Sequence, residues 1–445
     1  MKSIKLILFL AIAGMLSFTS CEDYFGDINI DPDNPTKVTP NVLLPQIQVR
    51  LAYTLGGDAS RFVGIYTQHV DGVARQWAVI QPYGIVPSDM NSMWGTNLYS
   101  GVLMDNRRLR DIAVEGKYGH YEGISKAIEA YTIMFVTDMW GDAPYSEAIQ
   151  GTAETLQPVF DSQQSIYDNI FALIADARTL FNGDNGGFAP SSDDFIFGGD
   201  IDQWQRFLNV LEARGRLHIG KTDSGGNYAM ALAALEKGGF DSGNGARLQF
   251  GMGATESGPW YQFIEQRGDV DVGANYVTLL QSLNDPRETV FGVQIQSNTD
   301  HPFFVRDRRV PIISYTEQEF IRAELMMRAG DAPGAQAAYL EGIKSSFNDV
   351  AMAEADYDAY IAQESVVPTA GVTLSEIMTQ KYIALFTEPE VFNDWRRTGM
   401  PEITNPNLGA VVPRRLPYGQ NEILSNVNAP SPADVTIFTK VWWDN

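Results

Sequence analysis

Residues 124–148 read ISKAIEAYTIMFVTDMWGDAPYSEA, and this stretch contains the clearest fold signal of the chain. Its apolar side chains recur at helical spacing, at Ile124, Ala127, Ile128, Tyr131, Met134, Phe135 and Met139. A spacing of three to four residues places them on one face of a helix. Gly141 and Pro144 follow, and a glycine with a proline shortly after it is typical of a helix end. The stretch therefore predicts a helix that ends at Gly141.

Helical patterns continue along the rest of the chain. The run Asp161-Ser162-Gln163-Gln164 is a variant of the capping box and predicts the start of a helix that reaches Phe181. Further helices are predicted at 204–217, 317–328, 333–347 and 375–386. Loops rich in Gly, Asp, Asn and Ser are predicted at 182–202, 222–227 and 238–275, and the short run 290–295 indicates a minor β-hairpin. Helix pairs without alternating strands predict a mainly α fold resembling an α-α superhelix, although no strict sequence repeat is present.

The N-terminus has the pattern of an export signal. A basic start with Lys2 and Lys5 precedes an apolar run, 6–16, that is too short to span a bilayer. The single cysteine, Cys21, follows a small residue, as in bacterial lipoproteins whose thiol receives a diacylglycerol. We therefore predict a signal peptide at 1–20 and a lipid-anchored mature chain at 21–445, of which 21–40 form an extended tether. The alternative is an incidental cysteine behind an ordinary secretory signal.

Composition excludes several classes of function. The 445 residues include 55 Asp and Glu against 32 Lys and Arg, for a net charge of −23, and this negative field would repel nucleic acid. A single cysteine cannot form an internal disulfide, a Cys-rich zinc site or an iron–sulfur cluster. The four His are scattered and form no His-Glu-x-x-His motif. We therefore expect no cofactor and no metal site.

Two motifs have both a chemical and a structural interpretation. Residues 215–222 match the phosphate-binding P-loop string, but the helical pattern before them and their bulky side chains argue against an open phosphate loop. Asp138 and Asp142 are spaced like a paired acid and base. Their position at a helix end and in a Gly-Asp turn favours hydrogen bonds to the backbone instead.

Aromatic residues among turn-forming residues suggest a binding surface. Trp77, Tyr83, Trp260 and Tyr261 lie in predicted loops, where aromatic rings can stack on sugar rings or on peptide side chains. The alternative, that they anchor the loops to the core, is about equally supported. Trp94 and Tyr99 open a predicted helix and are expected in the core.

A set of motifs spans the mature chain in a fixed order. They are Cys21, 28–36, 137–148, Phe160-Asp161 with Ile166-Tyr167, 204–209 with Arg214, 382–386, 394–399, and 413–418 with Glu422 and Asn426. In this order they resemble the SusD/RagB family of nutrient-binding outer-membrane lipoproteins, in its SusD-like branch. The most specific string is 137–148.

The resemblance implies a fold, a location and a partner. The expected fold has four tetratricopeptide-like helix pairs that support a loop-rich region with minor β-hairpins. The protein is expected to be anchored by lipid at the cell outer membrane, exposed at the surface, beside a SusC-like TonB-dependent barrel. It would capture an oligosaccharide or a peptide and pass it to that barrel, without being an enzyme. Residues 141–145 and 394–397 are then scaffold residues.

Two other functions stay open. An all-helical surface glycoside hydrolase would need two carboxylates about 5–10 Å apart, and Asp71, Asp89 and Glu265 are the best-placed acids. A non-binding scaffold protein would use its helical face for protein partners. The ligand class is also open, because the acidic balance disfavours a polyanion whereas the basic run 306–309 favours one locally.

Overall fold

The structure is a computed structural model that describes residues 38–149, 155–223, 225–403 and 411–444. Cys21, the signal peptide and nearly all of the expected tether lie outside the described residues, so what was predicted for them remains a prediction. Most described residues are in helices, and the strands are short. The predicted mainly α fold is confirmed.

The helices have the following bounds. The first half of the chain contains α1 (Pro40–Thr54), α2 (Ser60–Tyr66), α3 (Arg75–Ile80), α4 (Asp105–Gly116), α5 (Gly119–Trp140), α6 (Gln163–Phe181) and α7 (Ile201–His218). The second half contains α8 (Gly226–Glu236), α9 (Pro259–Gln266), α10 (Ala274–Ser282), α11 (Glu288–Phe291), α12 (Tyr315–Ala329), α13 (Ala332–Asp349), α14 (Glu354–Ile361), α15 (Leu374–Ala384), α16 (Glu390–Thr398) and α17 (Gln420–Ser425). Wider π-helical segments occupy Leu55–Ala59 and Ser92–Met104, and 3₁₀ turns occupy Pro87–Met90 and Trp442–Asp444.

Neighbouring helices pack in pairs, and local sequence sets where each one begins and ends. Helix α5 packs along α6, α7 along α8, and α12 along α13. The Ser162 hydroxyl accepts a hydrogen bond from the amide of Ser165 at 3.2 Å, which caps α6 as the sequence predicts. Between α12 and α13, Gly330 adopts φ +83°, which glycine tolerates without strain, and Asp331 then caps α13.

The strands form three antiparallel pairs. Strand β1 (Val70–Gly72) pairs with β5 (Val270–Val272), β2 (Ala143–Pro144) with β3 (Phe160–Asp161), and β4 (Gly245–Gln249) with β6 (Arg309–Ser314). The predicted strand at 290–295 is wrong, because residues 288–291 form the short helix α11, whose Phe291 is buried. Asp285 favours this turn by accepting a hydrogen bond from the amide of Arg287.

The end of α5 is held by a buried polar network. Asp138 accepts hydrogen bonds from the Tyr167 hydroxyl at 2.6 Å and from the Trp443 indole at 2.8 Å. His218 lies between Asp138 and Glu390, at 3.0 and 2.6 Å. Burial alone would lower the pKa of His218, but the two carboxylates outweigh it and raise this pKa to about 9. The network therefore joins the ends of α5 and α7 to the C-terminal segment.

Both motifs with two interpretations turn out to be structural. Asp142 accepts a hydrogen bond from the amide of Gln163 at 2.8 Å, so it ties the turn after α5 to the start of α6. Gly215 lies inside α7, where an added Cβ would come within 2.8 Å of the Met134 side chain. This glycine permits close packing of α7 on α5, and residues 215–218 form no phosphate loop.

Candidate functional site: an arginine-lined groove

The two-stranded ribbon of β4 and β6 has one buried face and one polar face. Leu248 and Val310 are paired across the ribbon and are buried in the core. Gln249 and Arg309 are paired in the next position and are exposed. Because successive side chains of a strand point to opposite faces, this alternation leaves polar groups on the outer surface. A register irregularity between Ala246 and Arg247 adjusts the alternation there.

Three adjoining cavities border the ribbon: the two larger ones lie over its polar face, and the smallest also reaches the buried Val310. Their volumes are about 450, 300 and 40 Å³. The two larger cavities share Arg247, Gln249 and Arg309, and the middle and smallest cavities share Val305, Arg308, Arg309, Pro311 and Glu388. We name this continuous depression, defined by Arg247, Gln249, Arg308, Arg309 and Glu388, the arginine groove. Arg309 lines all three cavities.

The arginines of this region differ in their partners. Arg247 makes a bidentate ion pair with Asp349, at 2.8 and 3.2 Å. The Nε of Arg309 donates to the Gln249 side-chain oxygen at 2.8 Å. The Arg308 guanidinium lies over the Phe303 ring, 3.7 Å from its centroid. Two of the three groove arginines are thus held by neutral neighbours.

Burial changes the titration of two groups in the groove. It lowers the pKa of Arg308 to about 10, against the opposing charges of Asp349 and Glu388, so the guanidinium stays charged at neutral pH. It raises the pKa of Glu388 to about 8, and the nearby charge of Glu317 adds to the rise. Glu388 is therefore mostly a neutral carboxyl group at pH 7. The groove consequently has less negative charge than its residue types suggest.

Two of the four predicted ligand-contacting aromatics reach the groove. Trp260 and Tyr261 line the smallest cavity. The Trp260 ring stacks on Phe304 with centroids 4.6 Å apart, and its indole donates to the Ser60 hydroxyl at 2.8 Å. The Arg306 guanidinium lies 4.4 Å from the centroid of the Tyr261 ring. The structure thus brings this pair to the wall of the groove.

The other two predicted aromatics lie elsewhere. Trp77 packs against Phe62, with ring centroids 5.1 Å apart, and Tyr83 packs edge-on against Tyr66 at 5.7 Å. Neither lines any of the three cavities. Trp94, expected in the core, is buried there.

All four predicted aromatics are largely buried. Trp77 is 2% exposed, and Tyr83, Trp260 and Tyr261 are each 6% exposed. The prediction that three of them lie on loops is wrong, because Trp77 is in α3 while Trp260 and Tyr261 are in α9. Pro259 explains the latter, since proline is favoured at the first position of a helix. Their contact with a ligand stays a prediction.

The groove residues Arg247 and Gln249 were missed by the sequence analysis. They lie about sixty residues before Arg309 in the chain and meet it only through the pairing of β4 with β6. The one available signal was the basic run 306–309, which was noted as a possible patch for an anion.

The acids named for a hydrolase each have a local structural partner. Asp71 accepts from the Gln81 side chain at 2.7 Å, and Asp89 accepts from the amide of Val86 at 2.9 Å. Glu265 pairs with Arg306 at 3.3 Å. Each of the three carboxylates is thus held by a neighbouring group of the fold.

The described residues form neither a metal-binding cluster nor a membrane-spanning helix. No three side chains from His, Cys, Asp and Glu gather there in a way that could hold a metal ion. None of the helices in the described ranges combines the length and the apolar character needed to cross a membrane.

Comparison with known proteins places the chain in a family. The SusD-like family model, described as "starch-binding associating with outer membrane", matches residues 32–304 and 296–419. No curated protein matches the chain significantly.

Solved structures share the fold at low sequence identity. A SusD/RagB family protein from Bacteroides thetaiotaomicron VPI-5482 has a TM-score of 0.78 and 22% identity, over 92% of this chain and 99% of that one. A chitin-binding protein has a TM-score of 0.75 and 21% identity, over 92% and 100%. A SusD homologue from Bacteroides uniformis ATCC 8492 has a TM-score of 0.73 and 20% identity, over 91% and 99%. Because the family model covers well over half of the residues, the chain belongs to the SusD-like family, whose description is starch-binding and associated with the outer membrane.

Proposed function

We propose that the protein is a surface lipoprotein that captures an oligosaccharide in the arginine groove and delivers it to a SusC-like TonB-dependent barrel, without chemical change of the ligand. The observation that supports this most is the groove itself. It joins cavities of about 450 and 300 Å³ along a single polar strand face. Membership of a family described as starch-binding favours a glycan over a peptide.

The lining of the groove suits hydroxyl groups. Side chains that can donate or accept hydrogen bonds surround the two larger cavities, namely Gln203, Asn244, Gln249, Ser314 and Asn348. Phe195, which is 51% exposed, borders the largest of the three groove cavities and offers an apolar face to a sugar ring. The polar groups can hydrogen-bond the hydroxyls of a sugar, and the aromatic surface can pack against its ring.

The lipid anchor and the transporter partner are inferred from observations other than the groove. The anchor is inferred from the N-terminal pattern that ends at Cys21. The barrel partner is inferred from the resemblance to the SusD/RagB family. Acyl chains would hold the protein at the membrane, since each buried methylene contributes about 0.8 kcal/mol.

The test of capture is a binding measurement combined with an analysis of the ligand. Titration calorimetry of the purified protein with a set of neutral and acidic oligosaccharides should show saturable binding of at least one of them. Chromatography of that ligand after a long incubation should show no change, whereas cleavage would support the hydrolase instead. A Gln249→Ala, Arg309→Ala double variant should bind at least about tenfold more weakly, because it removes two polar contacts.

Two controls complete the experiment. Arg107→Ala removes a surface arginine that pairs with Asp111 and lines none of the cavities, so it should bind like the unchanged protein. Purification of the lipoprotein from outer membranes should bring a TonB-dependent barrel with it. Recovery without any barrel would contradict the transporter part of the proposal.

A further inference from the structure

We propose that the arginine groove selects oligosaccharides that contain carboxylate groups, that is, uronic-acid oligomers, and that Arg308 and Arg309 bind those carboxylates. This inference rests on the proposed function, since it assigns a ligand class to the same groove. It adds that the site discriminates by charge.

The first argument is that, among the described residues, neither of these two arginines is in an ion pair; the charges of Asp349 and Glu388 act on Arg308 only from beyond ion-pair distance. Their neighbours Arg247 and Arg306 are paired with Asp349 and Glu265. Within the described ranges, no carboxylate forms an ion pair with Arg308 or Arg309. The chain has 55 acidic residues for 32 basic ones, so carboxylates are plentiful. Two adjacent unpaired guanidinium groups in such a chain indicate that their partner comes from outside.

The second argument is the position of Arg309. Its Nε is used by Gln249, which fixes the side chain. Its terminal nitrogens have no hydrogen-bond partner in the described part of the chain, and the residue lines all three cavities. A guanidinium presents its donors in a planar fork that matches the two oxygens of a carboxylate. Arg309 is therefore oriented to bind a carboxylate at the centre of the groove.

The third argument is the environment of Arg308. Its side chain is half-buried against Phe303, and this burial lowers its pKa to about 10. A charged group that has lost part of its hydration is stabilised when a carboxylate replaces the lost water. A carboxylate of the ligand would thus provide the ion-pair partner that Arg308 lacks among the described residues.

The acids of the groove do not cancel this attraction. Asp349 is occupied by Arg247 and also accepts from the Thr316 hydroxyl at 2.9 Å. Asp200 caps α7 by accepting from the amide of Gln203 at 3.1 Å. Glu388 is mostly neutral at pH 7, since its pKa is about 8. Asp307 alone remains as an exposed acid on the lining. Its replacement by asparagine removes a negative charge from the groove and should therefore have the opposite effect to an arginine replacement.

The experiment compares acidic glycans with neutral glycans of the same linkage. The probes are short oligogalacturonate, oligomannuronate and hyaluronan oligosaccharides, each beside its carboxyl-reduced counterpart. Calorimetry uses the full-length lipoprotein in detergent, with maltooligosaccharides and chitooligosaccharides as additional neutral probes. We expect at least one acidic probe to bind at least tenfold more tightly than its reduced form, and its affinity to fall as salt is added.

Variants locate the discrimination. Arg309→Gln should weaken binding of the acidic probe about tenfold to a hundredfold, as expected for the loss of a charge-assisted bidentate contact, and should leave the reduced probe unaffected. Arg309→Lys should fall in between, because it keeps the charge without the fork. Asp307→Asn should strengthen binding of the acidic probe several-fold. Arg107→Gln, the matched control outside the groove, should change nothing. Arg309 is exposed, so its variants should melt at the temperature of the unchanged protein.

The possible failures separate this inference from the proposed function. Equal binding of acidic and reduced probes, or binding of neutral probes alone that depends on Arg309, would overturn the charge selection and leave glycan capture intact. Binding of an acidic probe that survives both Arg308→Gln and Arg309→Gln would overturn the assignment of these arginines. Absence of binding to every probe would overturn the proposed function together with the inference.

Discussion

Replacement of Glu324 by glutamine tests the buried ion-pair network that joins α12, α15 and α16. Glu324 is 0% exposed, and its carboxylate accepts from Arg397 at 2.6 Å and from Arg328 at 2.8 Å. Arg397 also pairs with Asp394, which in turn pairs with Lys381 at 2.7 Å. Removal of the Glu324 charge therefore weakens the network at its buried centre.

The size of the effect follows from the pKa of Glu324. Burial alone would raise this pKa, but the two arginines outweigh it and hold it at about 2, against an ordinary value of 4.5. The difference corresponds to about 3 kcal/mol of the free energy of unfolding near pH 7. Because the pKa is lower in the folded state, this contribution is present above pH 4.5 and is lost as the pH falls towards 2. Near pH 3 it should be about 1.5 kcal/mol.

Urea unfolding followed by tryptophan fluorescence measures this contribution. At pH 7 the Glu324→Gln variant should unfold at a lower urea concentration, by an amount equivalent to about 3 kcal/mol, and this gap should roughly halve near pH 3. Glu115→Gln is the matched control, because it removes the same charge from an exposed position. If Glu324→Gln matched Glu115→Gln at both pH values, the proposed stabilisation by the buried network would be refuted.

Three further predictions concern single side chains. His218→Gln should lower the free energy of unfolding by about 2–3 kcal/mol below pH 6.5, because the imidazolium lies between two carboxylates. Urea titrations should show this loss disappear as the pH rises through about 9, where the imidazolium loses its proton. Trp260→Phe should lower it by about 1–2 kcal/mol in thermal melts, since it removes the buried hydrogen bond to Ser60 and keeps an aromatic ring; an unchanged melting temperature would contradict this. Glu388→Gln should leave calorimetric affinity for an acidic glycan nearly constant between about pH 7 and 9, below the pKa of Arg308. The affinity of the unchanged protein should fall over this range as Glu388 ionises beside Arg308; parallel pH profiles would contradict this role.

Helices were predictable because their signals are local. The spacing of apolar residues from Ile124 to Met139 predicted most of α5, and the structure extends it to Gly119 and Trp140. Ser162 predicted the start of α6 because a capping hydroxyl acts over only three residues. The error at 290–295 has a tertiary cause, since burial of Phe291 and the turn at Asp285 favour a helix over the strand that Val290 suggests.

The candidate site was much less predictable. The four aromatics were named from local composition, yet burial is a property of the whole fold, and all four are largely buried. Only Trp260 and Tyr261 reach the groove, because α9 lies beside the loop that contains Phe303 and Phe304. Composition around an aromatic residue does not reveal which neighbours cover it.

The amino-acid sequence alone was sufficient for the helical class and the family resemblance, because periodicity, caps and motif order are all read along the chain; the lipid anchor that it predicts remains a prediction. The groove required the folded chain. Strand pairing brings Gln249 opposite Arg309, although about sixty residues separate them. Whether an arginine is in an ion pair with a carboxylate is likewise a question of distance in space. Among the described residues it separates Arg247, paired with Asp349, from Arg308 and Arg309, whose contacts are with Phe303 and Gln249. A run of basic residues in a sequence shows the charges, and the fold establishes which of them are left for a ligand.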